Sequence, residues 1–322
     1  MGVFFKSFGH YIPETGITNK QLAERFNISE EWILERTGIE ERKYFLNGAT
    51  SDMIVAAALN CLNNAEVSAS NIDCIIVATM TPDYHCPSTA AIVQKKLGIN
   101  HNFSLDIMAA CSGYVYALQL ADALIASGKY CNILVAGADK MSAIIDKNDR
   151  KTALIFADGA GCALVSHHDT ENNIIDIICA VDSTLSDIVI IPNGGSVSPI
   201  HQPVFEEQNH FLRFTSKGVY ESGIQLLQKA INAVTEKSKI TIKDIDLIIP
   251  HQANKRMIEE LAQRMDVPID KFFINVESIG NTSAATIPIA LSQASEQKKL
   301  KGKILLISVG AGFTYASAII QV

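Results

Sequence analysis

Three residues of this 322-residue chain, Cys111, His251 and Asn281, are of the types that together handle an acyl carbonyl. Cys111 lies in Ala109-Ala-Cys-Ser-Gly113. A short apolar run from Phe103 precedes that segment, and Val115, Leu118, Ala121, Leu124 and Ile125 follow it at helical spacing. The thiol therefore stands where a strand hands over to a helix. Unpaired N–H groups and the positive dipole end of a helix start stabilise a thiolate. A cysteine so placed has a lowered pKa and is a nucleophile near neutral pH. Packing as a small buried hydrophobe is the other use of the same residue. His251, in Ile248-Ile-Pro-His-Gln-Ala-Asn254, comes just after a second apolar run. Asn281, in Gly280-Asn-Thr-Ser-Ala-Ala285, is of a type that commonly opens a helix.

The elements that must carry these residues are written in the patterning. Residues 2–12 read as a strand closed by Pro13, and Asn71–Ala78 as a strand apolar at nearly every position, the pattern of a strand covered on both faces. Helices are expected over Leu22–Phe26, Trp32–Ile39, Met53–Leu62 and Ala90–Leu97, and a further strand over Ile133–Ala138. Asp158-Gly-Ala-Gly161 reads as a tight turn into a strand from Cys162. Residues 182–214 are poor in periodicity and rich in Gly, Pro and Ser, which reads as a long capping excursion. The second half repeats the first. Asn71-Ile-Asp-Cys-Ile-Ile76 aligns with Asp244-Ile-Asp-Leu-Ile-Ile249, and 244 − 71 = 173. Ile133–Ala138 and Leu306–Ala311 match at the same offset, as do Ala117, Leu118 and Ala121 with Ala290, Leu291 and Ala294. Under this offset the Asn281 segment takes the place of the Cys111 segment, with Asn281 starting the equivalent helix. The expected fold is α/β, with a half over 1–170 carrying the thiol and a half over 171–322 carrying the imidazole and the carboxamide. Each half holds a mixed, mostly parallel sheet. Ligands of such sheets bind beyond the carboxyl ends of strands, where Cys111 and His251 fall, and the repeat brings Asn281 to the equivalent helix start.

Composition narrows the function. Hydrophobic residues make up 48% and charged ones 19%, enough for a sizeable core. A net charge of −7 argues against general nucleic-acid binding. No apolar run has transmembrane length, and Met1–His10 lacks the pattern of a signal peptide. The seven cysteines are odd in number and include no C-x-x-C pair, which points away from disulfides and a zinc site and towards a reducing cytoplasm. Trp32 and Arg36 are four residues apart, so a helix puts the indole and the guanidinium on one face. Such a pair stacks on a nucleotide base or forms a surface cation–π contact.

The segments Ala109–Gly113, Pro250-His-Gln-Ala-Asn254 and Gly280-Asn-Thr-Ser-Ala284 resemble those of the β-ketoacyl-acyl-carrier-protein synthase III enzymes, initiating condensing enzymes of fatty-acid synthesis with the thiolase fold. The resemblance runs nearly end to end and takes in Trp32…Arg36-Thr-Gly-Ile39, Asp158–Gly161 and Gly310-Ala-Gly-Phe-Thr314. It implies a five-layer αβαβα homodimer in which Cys111 takes an acyl group from acyl-CoA. The extender it implies is malonyl-acyl carrier protein, with no metal and no organic cofactor. In such an enzyme the N–H groups of Cys111 and Ala311 form an oxyanion hole, and His251 and Asn281 donate to the enolate left by decarboxylation. Trp32, Arg36, Arg150 and Asn254 are implied to hold CoA. Lys255 and Arg256, with Arg264, are candidates for a basic patch that docks the acidic carrier protein. In the acyl pocket, Cys86 stands where acetyl-selective members carry Phe, and Val309 where Phe is usual. The smaller Cys86 implies a deeper pocket that takes medium-chain acyl groups.

Rival chemistries fit less well. A biosynthetic thiolase needs a second cysteine near Gly310–Gly312, and the elongating synthases use a second histidine in place of Asn281. A papain-type Cys-His-Asn hydrolase needs neither Trp32 nor Arg36. A hydroxymethylglutaryl-CoA-type synthase needs an acidic base, and a silent scaffold needs no intact triad. A relative of specialised metabolism that joins longer or unusual acyl primers stays open.

Overall fold

A computed structural model describes residues 2–168, 173–199, 207–214 and 218–322. The first half runs β1 (Gly2–Tyr11), β2 (Gly16–Thr18), α1 (Asn19–Phe26), α2 (Glu30–Thr37), β3 (Glu41–Lys43), α3 (Thr50–Ala65), β4 (Cys74–Ala78), α4 (Thr89–Lys96), β5 (Phe103–Ile107), α5 (Gly113–Ala126), β6 (Asn132–Lys140), α6 (Arg150–Ala153) and β7 (Asp158–His168). The second runs β8 (Ile174–Val181), β9 (Val189–Ile190), β10 (Arg213–Phe214), α7 (Val219–Ser238), β11 (Leu247–Pro250), α8 (Lys255–Arg264), α9 (Val276–Ile279), α10 (Thr286–Glu296), β12 (Lys303–Gly310) and β13 (Thr314–Gln321). The expected division at 170/171 falls within 169–172, outside the described residues.

Two sheets form, ordered β1-β7-β6-β4-β5 and β8-β13-β12-β11. Their layers follow from the alternation of side chains along each strand. In β4, Cys74, Ile76 and Ala78 face inward with Val115 and Leu118 of α5 and Ile287 and Leu291 of α10. Ile249 of β11 and Leu306 of β12 close the same core from the second sheet. Ile75 and Val77 of β4 face the other way, against Met53, Ile54 and Ala57 of α3. On the far side, Ile224 and Leu227 of α7 and Leu261 of α8 cover Ile248, Leu305 and Ile307. Helices, sheet, shared helices, sheet and helices give the five αβαβα layers.

The repeat holds at the level of single turns. The 3₁₀ turn Ala110–Ser112 leads into α5 at Gly113, and its counterpart Ser283–Ala285 leads into α10 at Thr286, each at the 173-residue offset. Ala110 and Ser283, matched by that offset, both adopt left-handed backbone, with φ of 46° and 53°. Such conformations in non-glycine residues persist where surrounding structure over-determines them, and they collect at functional sites.

Two expectations need correction. The sheets are mixed, but parallel pairing is not the majority. β4 pairs in parallel with β5 and β6, whereas β7 is antiparallel to both β6 and β1. In the second sheet β11–β12 is parallel, and β12–β13 and β13–β8 are antiparallel. The parallel pairs are those joined through full crossover helices. β12 reaches β13 through a three-residue turn, too short for a crossover, so the chain reverses. The second correction is that Asp158–Gly161 is not a turn but the start of β7. Its glycines serve packing: a Cβ at Gly161 would lie 2.5 Å from the backbone nitrogen of Ile289, so α10 can press directly on the strand.

Within the expected excursion, β9 and β10 pair antiparallel, Val189 with Phe214 and Ile190 with Arg213. Residues 200–206 of the same stretch lie outside the described residues.

Candidate active site

Strand ends and helix starts bring Cys111, His251 and Asn281 onto the wall of one cavity of about 580 Å³. Cys111 is the middle residue of the 3₁₀ turn between β5 and α5. Two hydroxyls fasten that turn to the start of β13: Ser112 donates to the Thr314 carbonyl at 3.1 Å, and Thr314 donates to the Ala109 carbonyl at 3.0 Å. Gly310 closes the opposite side. A Cβ there would come within 2.8 Å of the Cys111 backbone nitrogen, so only glycine lets the Gly310–Gly312 turn approach the nucleophile this closely. Ala311 lines the same cavity.

Burial favours the neutral forms of the thiol and the imidazole. Burial pushes the Cys111 thiol up to about 12, with the nearby Asp139 carboxylate acting in the same direction and the Ser283 hydroxyl, 3.5 Å from Sγ, acting against it. The expected lowering by the helix start is therefore outweighed by desolvation in an apolar cavity. Burial also depresses His251 to about 3, so its imidazole is neutral throughout the working range. A hydrolase of the Cys-His-Asn kind relies on a thiolate paired with an imidazolium. Burial opposes both of these ions here.

Neutrality suits donors. His251, 5% exposed, bonds through Nδ1 to the Thr286 hydroxyl at 2.7 Å, leaving Nε2 for the cavity. Asn281 precedes the helical turn by two residues instead of starting it. Its Oδ1 accepts from the Ser283 N–H at 2.8 Å, which leaves the Nδ2 amide as the free end. Asp139, fully buried, holds the frame. Its Oδ1 accepts from the Thr79 hydroxyl and from the Met80 and Thr81 N–H groups, and its Oδ2 accepts from the Ala284 N–H. Sequence reasoning passed over Asp139, although an acid closing the apolar run Ile133–Ala138 is a signal of a satisfied buried carboxylate. It also passed over Thr286, whose type and place at a helix start are too ordinary to attract notice.

Apolar side chains line much of the remaining wall. Met80, Met141, Ile155 and Phe156 come from the first half, and Val189, Leu212 and Phe214 from the excursion. Val309 lines the cavity, as expected. Cys86 does not; it is exposed on the Thr81–Ser88 loop, outside the cavity of its own chain.

The aromatic–cation group assembles beside the cavity. The Arg36 guanidinium lies 4.4 Å and that of Arg150 5.1 Å from the centre of the Trp32 ring. Asn254 joins this group to α8: its Nδ2 donates to the Arg36 carbonyl at 3.0 Å, and its Oδ1 caps α8 at the Arg256 N–H. Its polar ends are thus engaged within the protein. The candidate basic patch narrows for a similar reason. Lys255 is paired with Glu277 at 2.6 Å, and Arg264 with Glu221 and Glu260 at 2.7 and 2.5 Å. Arg256 has no ion pair among the described residues.

A thiol at a left-handed turn, an imidazole and a carboxamide on the same cavity, and a shared helix layer between two sheets are the features of a thiolase-fold condensing enzyme. The family model described as 3-oxoacyl-[acyl-carrier-protein] synthase III matches residues 105–183, and the model for its C-terminal part matches 235–322. The β-ketoacyl-[acyl-carrier-protein] synthase III of Campylobacter fetus subsp. fetus is 41% identical over 98% of this chain and 97% of its own. The crystal structure of the 3-oxoacyl-[acyl-carrier-protein] synthase III of Aquifex aeolicus superposes with a TM-score of 0.91 at 34% identity, covering 100% of both chains. That of Thermus thermophilus gives 0.91 at 34%, over 100% of this chain and 99% of the other. The chain belongs to the β-ketoacyl-[acyl-carrier-protein] synthase III family. It is an acyltransferase of the condensing type, in fatty-acid synthesis.

Among the described residues no cluster of three or more metal-ligating side chains occurs, and no helix is long and apolar enough to cross a membrane.

Proposed function

We propose that the chain starts fatty-acid synthesis by condensing an acyl-CoA primer, held on Cys111, with malonyl-acyl carrier protein. The observation that carries this reading is that Cys111, His251 and Asn281 line one largely apolar cavity, with His251 Nδ1 and Asn281 Oδ1 already bonded within the protein. In the first stage Cys111 attacks the thioester carbonyl. The oxygen's developing charge is met by the N–H groups of Cys111 and Ala311. The carbon–sulfur bond to CoA breaks, and CoA leaves as the thiol with the cysteine's proton. In the second stage malonyl thioester enters and loses carbon dioxide. His251 Nε2–H and Asn281 Nδ2–H hold the enolate oxygen. The carbanion attacks the acyl-cysteine, releasing β-ketoacyl-carrier protein and a thiolate that regains a proton from solvent. The carbanion comes from decarboxylation, so the scheme calls for no metal and no organic cofactor.

The test uses the full chain with acetyl-, hexanoyl- and octanoyl-CoA, followed by malonyl-carrier protein. We expect a β-ketoacyl product and one carbon dioxide per turnover. We expect the medium-chain primers to acylate at least as well as acetyl. Hydrolysis of acyl-CoA without condensation would reject the reading.

Trp32, Arg36 and Arg150 form the CoA nucleotide site in this reading, with Asn254 as the brace between it and α8. Each cation–π contact is worth about 1 kcal/mol, so Trp32→Ala and Arg150→Ala should each raise KM for acyl-CoA about fivefold while kcat moves less. Steady-state kinetics with unchanged KM in both variants would place CoA elsewhere. For the carrier protein we propose docking at Arg256. Arg256→Glu should slow the malonyl-carrier step about tenfold at low salt and leave acylation by CoA intact. Equal loss in both half-reactions would argue against docking.

The exposed edge of β5 supports a homodimer: Phe103 there is 45% exposed and Met108 just beyond it 76%. In that assembly we place Cys86 at the partner's acyl pocket. The halves 1–170 and 171–322 act as the thiol-bearing and donor-bearing units. The free cysteines support a reducing cytoplasm as the site of action.

A further inference from the structure

We infer that Thr286 sets the tautomer of His251, keeping the ring proton on Nε2 so that the imidazole meets the cavity as a donor. The inference deepens the enolate-donor role proposed above and rests on it. A neutral imidazole carries one proton, and which nitrogen holds it depends on what the other nitrogen bonds. Nδ1 of His251 lies 2.7 Å from the Thr286 hydroxyl oxygen. Both residues are buried, at 5% and 3% exposure, so an unmade hydrogen bond at either would be costly.

Two proton arrangements satisfy this contact. In one the hydroxyl donates to Nδ1, and Nε2 carries the ring proton. In the other Nδ1–H donates to the hydroxyl oxygen, the hydroxyl donates to the Ser283 carbonyl, and Nε2 offers only a lone pair. Three observations favour the first. The hydroxyl lies nearer to Nδ1, at 2.7 Å, than to the Ser283 oxygen, at 3.1 Å. That carbonyl already accepts the Thr286 backbone N–H, so it does not need the hydroxyl. A separation of 2.7 Å is the usual length when a hydroxyl donates and the short extreme for a ring N–H. Asn281 is set in the same manner: its acceptor oxygen is held by the Ser283 N–H and its donor end is free. The one turn, Ser283 to Thr286, therefore polarises both side chains in the same sense. Thr286 touches no substrate in this arrangement; it is a positioning residue.

The test combines a spectrum with a half-reaction. Nitrogen-15 NMR of the full chain labelled at histidine, with the His251 signals identified by their loss in His251→Ala, should show Nε2 protonated and Nδ1 bare near neutral pH. Thr286→Val keeps the shape and removes the hydroxyl. It should release the tautomer and slow decarboxylation of malonyl-carrier protein about a hundredfold, the scale for loss of one aimed donor. Acylation of Cys111 by acyl-CoA should change less than about threefold, since Thr286 serves the second stage only. Thr286→Ser should restore both the spectrum and the rate. A wild-type spectrum with the proton on Nδ1 overturns the assignment, and needs no variant to fold. Unchanged decarboxylation in Thr286→Val beside a large loss in His251→Ala also overturns it and leaves the donor role standing. Full decarboxylation in His251→Ala overturns the donor role itself.

Discussion

Cys111→Ala abolishes acyl transfer: after exposure to acyl-CoA its intact mass does not rise, whereas the unaltered chain gains one acyl group. The expectation follows from the geometry of the turn. Left-handed backbone at Ala110 and two hydroxyl bonds to β13 hold residue 111 against the Gly310–Gly312 turn. Alanine fits that space without strain, so the fold survives and only the nucleophile is lost. Removing the nucleophile of a comparable acyl-transfer triad costs on the order of 10⁶ in turnover. His251 and Asn281 remain in the variant, so it should still decarboxylate malonyl thioester. An acyl adduct persisting on the alanine variant would move the nucleophile to another residue.

His251→Ala and Asn281→Ala, tested separately, should each slow that decarboxylation about 10²–10³-fold, or about 2.7–4 kcal/mol of barrier. Both donors serve one oxygen, so the double variant should lose less than the product of the two single losses. The pH profile gives the sign. The His251 pKa is lowered to about 3, so the neutral, donating form persists at all higher pH and is lost only as pH falls through that value. Decarboxylation should therefore be flat from about pH 5 to 8 as far as His251 is concerned, unlike a histidine that titrates near 6.5. A step in rate centred near that ordinary value, and abolished in His251→Ala, would show that the imidazole titrates and is not held neutral by burial.

Much of this site was legible in the amino-acid order. Cys111 and His251 could be found because each follows a strongly apolar strand, and Asn281 because the 173-residue repeat mapped its segment onto that of Cys111. The apolar continuity of β4 announced a strand covered on both faces, and both faces are covered. The start of β7 was not legible, since glycines that admit α10 and glycines that make a turn look alike in a sequence. The thiol's electrostatics were not legible either. A helix start is local and can be read along the chain, whereas desolvation depends on walls contributed by residues as distant as Met80 and Phe214. Glu260, four residues before Arg264, could be read along the chain, but two further partners of Lys255 and Arg264 were hidden for the same reason. Glu277 and Glu221 meet them only in three dimensions.

The paired left-handed turns are what duplication of one half-length unit would leave. Ala110 and Ser283 share one uncommon backbone conformation at matched positions, and each is followed by the shared-layer helix of its half. A half-length ancestor that assembled as a symmetric pair would have displayed this turn twice, facing itself across a twofold axis, with two equivalent reaction centres. Fusion of two such copies would free them to diverge. Ala284 now stands where the nucleophile stands in the first copy, and Asn281 takes the matching place of Met108. In the function proposed above, one turn carries the covalent acyl group and the other steadies the anion, so a single asymmetric centre is built from two copies of one motif.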